Sequence, residues 1–405
     1  MSDELSQPEQ KPSHDSGLRS KPLAFLQPAG KKKEWKSLVW IGGGIVVLLI
    51  AIGVVGSYAG WWQGKKITSN GDENKNGLFG QLPLGQGSGQ GVHNDASGLS
   101  GMPCEHPNRR AIGVMMAGDP INRPLSGASQ TDMMFEMPVL TNGVTRLMGI
   151  FQCQEPSEIG SVRSARHDYL FLIEGIDGIL GHWGGSYHAL NRIAAGEFQT
   201  VNALVNPFNT YFRKDNLPAP YNGFTSYERM WNALQKLGYR TETKFKGYDF
   251  KDDIEAGQRP AGGTLAIAWP GAFRVSYEYN PTTNRYERYW AGVKQVDFAD
   301  KKVVAPSAVV IMRAPNQLAE GEGGYNEMGI EGSGPLEVYQ DGKVINGTWK
   351  KNTLDKKDPT HYLNDKGEPI VFTRGQLWVM AVEPDKVVTW TPTTATPAAA
   401  APVVQ

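Results

Sequence analysis

From Leu38 to Tyr58 the sequence reads LVWIGGGIVVLLIAIGVVGSY, without one charged residue. As an α-helix these ~21 residues span ~32 Å, enough for the ~30 Å hydrocarbon layer of a bilayer. Trp35 and Trp40 precede or open the stretch, and Trp61 and Trp62 follow it, at the headgroup level that amphipathic rings favour. Lys31, Lys32, Lys33 and Lys36 come before it. The positive-inside rule therefore predicts a transmembrane helix over 37–62 with the N-terminus inside, although Lys65 and Lys66 reduce the asymmetry. The apolar run is longer than a signal-peptide h-region and lies behind a long polar segment, which favours an anchor over a cleaved signal. No cysteine follows it closely, Cys104 being the first, so the helix itself is the expected anchor. The chain reads as a single-pass protein of the cytoplasmic membrane with its C-terminal bulk outside.

The segments around the helix differ sharply in texture. Residues 1–36 are polar and poor in core-forming side chains, which predicts a disordered cytoplasmic tail. Residues 63–103 are rich in Gly, Asn, Ser and Gln and read as a flexible linker, with an r.m.s. reach of ~35 Å for ~40 residues. Residues 385–405, rich in Pro, Thr and Ala, read as a disordered tail. Lys and Arg together number 41, as do Asp and Glu, so no global field draws the chain to nucleic acid and any anion site must be local. Cys104 and Cys153 both fall on the outer side, where a disulfide persists; spacing alone leaves a bridge and two separate thiols both open.

Between the ends, the pattern predicts an α+β fold in two parts. In the first, 104–246, Ala111–Ala117 and Thr145–Gln152 read as buried strands. Ser164–Glu174, Ser186–Ala195 and Ser226–Leu237 read as helices, each opened by a serine able to cap the first turn. In the second, 263–384, short apolar runs separated by turns predict a mainly β unit. These runs are 264–269, 273–279, 285–290, 308–313, 336–339, 370–372 and 377–382. Asn280–Asn284 and Gln340–Lys343, with its Asp-Gly pair, carry hairpin-turn chemistry.

The densest polar cluster lies between Arg123 and Arg213. Arg146, Arg163, Arg166 and Arg213 stand beside expected strand ends, turns or helix starts, and a planar guanidinium holds a phosphate or carboxylate through paired hydrogen bonds. Ser164, Ser186 at the end of a Gly-Gly-Ser turn, and His182 complete the set expected to bind a ligand. The bland alternative pairs these arginines with Asp132, Glu136 and Asp168. Those three acids are also the candidate catalytic residues, with His167 and His188 nearby. No HExxH, paired CxxC or EF-hand loop is present, nor a Walker or dinucleotide loop, so neither a metal nor a cofactor is expected.

The order RPLSGASQTDMMFE, NGVTR, IGSVRSAR, HWGGS and FRKD, followed by GPLEVYQDGKVINGTWKK and HYLNDKGEPIVFTRGQLWVMAV, resembles the YerB-like lipoprotein family of bacteria. The resemblance covers about 108–384 and implies a two-part domain tethered at the bacterial surface, usually by a lipid. Where that family commonly has Gly-Pro before its Val-Arg-Ser-Ala-Arg element, this chain has Gly160 and Ser161. Where it often carries an acid before the Gly-Ile-Thr-Arg element, Leu140 and Thr141 stand here. The order of elements is also similar, more loosely, to envelope phosphotransferases. Three functions are thereby expected, in order. The first is binding of an anionic or sugar-containing envelope component, either a cell-wall polymer or an envelope protein. The second is an envelope hydrolase or phosphotransferase, and the third a protein-interaction scaffold.

Overall fold

The computed structural model describes residues 95–140, 143–319 and 324–393. The segments expected as cytoplasmic tail (1–36), membrane helix (37–62) and linker up to residue 94 lie outside these. Among the described residues no helix is long and apolar enough to cross a membrane.

The described chain is mainly β, with three α-helices: α1 (His167–Gly175), α2 (Tyr187–Ala194) and α3 (Tyr227–Lys236). Its centre is a ten-stranded mixed sheet. The first half supplies β1 (Ile112–Ala117), β2 (Met133–Pro138), β3 (Thr145–Phe151), β4 (Ile179–His182) and β5 (Thr200–Asn202). A second sheet is built from β6 (Gly263–Ile267), β7 (Val275–Asn280), β8 (Arg285–Trp290) and β9 (Val293–Lys294). The chain then returns to the large sheet with β10 (Ala308–Arg313), β11 (Gly332–Gln340), β12 (Lys343–Lys351), β13 (His361–Asn364) and β14 (Leu377–Val382). The last strand, β15 (Val388–Pro392), pairs antiparallel with β6 and makes the second sheet five-stranded. In space the large sheet runs β13-β12-β11-β10-β14-β2-β3-β1-β4-β5.

The two segments expected as successive domains thus share one sheet, joined by the parallel β2–β14 pair. The reason is legible in the strands. Each of β1, β2, β3, β10 and β14 is buried on both faces, and such strands must be covered on both sides. One face receives α1 through Tyr169, Leu170 and Ile173, together with Met328, Ile330, Tyr362 and Phe372. The other receives α3 through Met230, Ala233 and Leu234, and the five-stranded sheet through Leu265, Val275, Tyr277, Tyr286 and Trp290. Hairpin turns fall at 281–284 and 341–342 as expected, with Asp341 and Gly342 at positive φ.

Three expectations are corrected. The 95–103 end of the linker is packed rather than flexible: Leu99 is buried, Ser100 Oγ donates to Asp132 Oδ1 at 2.7 Å, and Tyr248 N donates to Gly98 O. The tail is ordered through 392, because Trp390 packs against Tyr286 and Tyr339 and holds β15 on the sheet. The first helix begins at His167 instead of Ser164, with Arg166 as its uncapped N-cap residue. Residues 161–165 are tied instead to β1 and to the 183–186 loop. Ser186 and Ser226 do cap α2 and α3, accepting from Ala189 N and Arg229 N.

Cys104 and Cys153 form a disulfide with Cα atoms 5.4 Å apart, fastening the entering segment to the chain just beyond β3. Replacing both by serine is expected to lower unfolding stability by about 2–4 kcal/mol, from the loop the bridge closes. Urea unfolding of oxidised wild type and the double variant measures this; an unchanged midpoint contradicts it.

Candidate functional site

The upper half of β1 is flanked by the chain elements that carry the arginines. On one side β3 pairs with it, Ala117 lying opposite Arg146. On the other side β4 has diverged, and the extended segment 161–163 takes its place: Ala117 N donates to Ser161 O and Arg163 N to Met115 O. The loop between β4 and α2 holds this segment in position. Trp183 N donates to Arg163 O, Ala165 N to Gly184 O, and Ser186 N to Ala165 O, each at 2.9–3.1 Å. At Gly118, just past β1, a Cβ would stand 2.3 Å from Thr145 O, so only glycine lets the β1 end and β3 approach this closely.

Arg146 projects from this corner on the α1 side of the sheet. It is 3 % exposed, and its Nε and Nη1 are buried with no hydrogen-bond partner among the described residues. Burial, followed by the charges of Arg166 and then Arg163, pushes its pKa down to about 9. The charges of Arg163 and Arg166 thus both reach Arg146. Arg163 is the most exposed of them, its guanidinium over the Tyr221 ring, 4.7 Å from the centroid, and its Nη1 towards Pro220 O. Arg166 lies over Tyr325 and donates to Ala165 O. Because Arg166 is the N-cap of α1, the helix also turns its N-terminal N–H groups and positive dipole end to this corner.

The three predicted acids are elsewhere engaged. Asp132 accepts from Ser100 Oγ, Gln152 N and Cys153 N. Glu136 is buried in mid-strand, on the side of the sheet opposite the arginine corner. It accepts both Arg288 Nη2 contacts at 2.8 and 3.0 Å, Trp378 Nε1 at 2.9 Å and Thr145 Oγ1 at 3.2 Å. Asp168 pairs with His167 at 3.0 Å and accepts from Met328 N. Burial lowers the His167 pKa, but the hydrogen bond and charge of Asp168, with Glu327 beyond, outweigh it and leave the imidazole raised. None of the bonds just named joins these acids to Arg146, Arg163 or Arg166. The carboxylate whose charge does reach Arg146 is Asp119, in the loop after β1, with one buried oxygen lacking a partner among the described residues.

The remaining predicted residues support the corner without entering it. His182 is fully buried, donates from Nδ1 to Gly184 O over 2.7 Å, and is held by burial at a pKa of about 4, hence neutral. Ser186 is spent as a cap. Arg213 stacks over Trp183 at 4.2 Å and donates to Asn222. Ser164 is half-buried in the loop before α1. His188 packs edge-on against His167. Among the described residues no group of three or more His, Cys, Asp or Glu is placed to hold a metal. A cavity of about 450 Å³ lined by Phe245, Tyr248, Tyr362 and Phe372 lies beside Glu174 and Gly175, at the other end of α1, and contains none of the arginines.

Sequence reasoning passed over Asp119, Arg123 and Arg288. Arg123 donates to Gly118 O and Ala272 O and stacks 3.9 Å from the Trp290 centroid; burial and Arg288 push it down to about 10. The signal available was the DPINRP turn, whose Asp, Asn and Arg directly follow a buried strand.

Comparison with known proteins agrees with this architecture. Residues 97–240 match the family described as "Protein of unknown function (DUF3048) N-terminal domain", and 265–379 match its C-terminal domain. A curated relative, "Putative lipoprotein YerB" of Bacillus subtilis (strain 168), is 29 % identical over 296 residues, covering 70 % of this chain and 85 % of the relative. The crystal structure of YerB protein from Bacillus subtilis superposes with a TM-score of 0.65 at 26 % identity, covering 73 % of this chain and 99 % of that one. The chain belongs to the DUF3048 family, with both its N-terminal and C-terminal parts.

Proposed function

We propose that this is a cell-envelope protein, anchored in the cytoplasmic membrane with its folded part outside, that binds an anionic group of an envelope component at the Arg146–Arg163–Arg166 corner. The observation that carries this is the buried Arg146 guanidinium. A charge inside a protein is ordinarily paired, and an unpaired one is costly. Here the charges of Arg166 and Arg163 and a helix N-terminus add to the cost, the charge of Asp119 offsets part of it, and an anion relieves what remains. The anchor comes from the apolar stretch 38–58 and accords with the word lipoprotein in the relative's name, although the means of attachment differs. A binding role is favoured over an enzymatic one because Asp132, Glu136 and Asp168 are each held in structural bonds.

Arg163→Ala combined with Arg166→Ala is expected to leave the melting temperature within about 2 °C of wild type while abolishing sedimentation with purified phosphate-containing cell-wall polymer. Retained sedimentation, with the same melting temperature, overturns the assignment.

A further inference from the structure

After β5 the chain turns outwards, and Leu204, Val205 and Phe208 are 67 %, 77 % and 52 % exposed. Exposed apolar residues scattered singly need no account, but a group at the tip of one loop does. The loop holds them out by its own bonding. Asn202 Oδ1 accepts from Gly184 N and Leu204 N, and Asn202 O accepts from Val205 N and Asn206 N. The Asn206 side chain accepts from Tyr211 N and donates to Tyr211 O. Ala203 N donates to His182 O, Asn209 N to Asn206 O and Thr210 N to Pro207 O, so that between Ala203 and Thr210 every N–H except that of Phe208 has an acceptor within the fold. Phe208 stands at φ 56°, a region bulky side chains rarely adopt, with Asn206 at 44° and Asn209 at 55°. The backbone accepts strain here, and the ring it carries is nevertheless left in water.

Around this tip the charge has one sign. From Phe198 to Lys214 the sequence contains no acid. Two exposed cations of α3 stand at the base of the loop: Lys236 Nζ lies 5.4 Å from the Phe208 centroid, and Arg229 Nη1 donates to Asn209 O at 2.7 Å. An apolar tip with its N–H groups already bonded and cations at its base fits the boundary between anionic headgroups and acyl chains. There the side chains leave water, few backbone donors are stranded, and the lysine and arginine stay among the headgroups. A protein partner requires neither the bonded backbone nor the single sign of charge. The stretch 38–58 also gives the chain a bilayer as a constant neighbour, at the high effective concentration that a tether confers.

Resting on the membrane attachment proposed above, and not on the anion assignment, we infer that the 203–209 loop is a membrane-docking surface, with Leu204, Val205 and Phe208 entering the interface of an anionic phospholipid bilayer and Arg229 and Lys236 on its headgroups.

The test uses full-length protein reconstituted into liposomes of phosphatidylcholine with or without phosphatidylglycerol. An environment-sensitive fluorophore is placed on Val205→Cys or, as a control, on Leu354→Cys, an exposed position in the loop after β12. The native cysteines are bridged and take no label. With phosphatidylglycerol present, nitroxide-bearing lipid is expected to quench the label at 205 at least about three-fold more than the label at 354. Phe208→Asp is expected to bring the 205 label down to the control. Arg229→Gln combined with Lys236→Gln, or omission of phosphatidylglycerol, is expected to lower it part of the way. Equal quenching at the two positions, or quenching at 205 that survives Phe208→Asp, overturns the inference. Flotation reports the anchor separately: a chain that floats with an unquenched 205 label keeps its anchor and loses the docking surface, and one that does not float loses both. Phe208→Asp is expected to melt at or above wild type, because Asp tolerates positive φ better than Phe. If it melts lower, the Arg229 and Lys236 variant decides, and unchanged quenching in that variant overturns the inference.

Discussion

Removing the Glu136 carboxylate is expected to destabilise the protein by about 3–5 kcal/mol, because it leaves a buried guanidinium with no counter-charge. Arg288 and Glu136 both have fully buried side chains and face each other across the two sheets. Every nitrogen of Arg288 is engaged: Nε donates to Tyr277 Oη, Nη1 to Gln295 Oε1 and Nη2 to both Glu136 oxygens. Glu136 in turn accepts from Trp378 and Thr145 on neighbouring strands. This network lies between the five-stranded and ten-stranded sheets and fixes their mutual register through direction, which apolar packing alone does not supply. Glu136→Ala strands the cation, whereas Glu136→Leu combined with Arg288→Met removes both charges and is expected to recover most of the loss. Urea unfolding of the two variants beside wild type decides it; a Glu136→Ala stability within about 1 kcal/mol of wild type sinks the account. Anion binding by the double variant is expected to persist, since the pair faces away from the arginine corner.

What the sequence made legible follows from the length scale of each signal. Buried strands announce themselves as unbroken apolar runs, so Ala111–Ala117, Ala308–Arg313 and Leu377–Val382 are recognisable almost to the residue. The strand Met133–Pro138 is buried equally well but was not among the expected strands, since Glu136 in its middle interrupts the apolar run and a buried, paired charge looks like a surface charge until its partner 152 residues away is known. The same distance hid the shared sheet: a parallel pair between β2 and β14 leaves no local trace, whereas the hairpin turns do. The arginine cluster was legible because three arginines near strand ends is an unusual composition. Which acids face it was not, because that depends on strand direction: Arg146 and Glu136 lie on adjacent strands yet point to opposite faces of the sheet.

Replacing Arg146 by methionine is expected to reduce anion affinity by at least about 100-fold and, in the ligand-free protein, to raise stability by about 1–4 kcal/mol. The two effects have one cause. The Arg146 guanidinium is held out of water beside Arg163 and Arg166, and burial is the larger of the forces acting against its charge. A methionine keeps the stem volume and its contacts on the α1 face while removing the ion, so the desolvation cost and the repulsion disappear together. A bound anion draws its strength from the same source: where water is excluded, charge-assisted hydrogen bonds to Nε and Nη1, which lack partners among the described residues, gain more than they do at the surface. Site and scaffold are therefore opposed at this one position, as expected where a fold keeps a strained charge for function. Thermal unfolding and phosphate titration of Arg146→Met and of Arg146→Lys, which keeps the charge without the planar fork, read the two effects separately. Arg146→Lys is expected to lose affinity while gaining little stability. If Arg146→Met instead unfolds at a lower temperature than wild type in the absence of ligand, the guanidinium is a structural group and the anion corner is overturned.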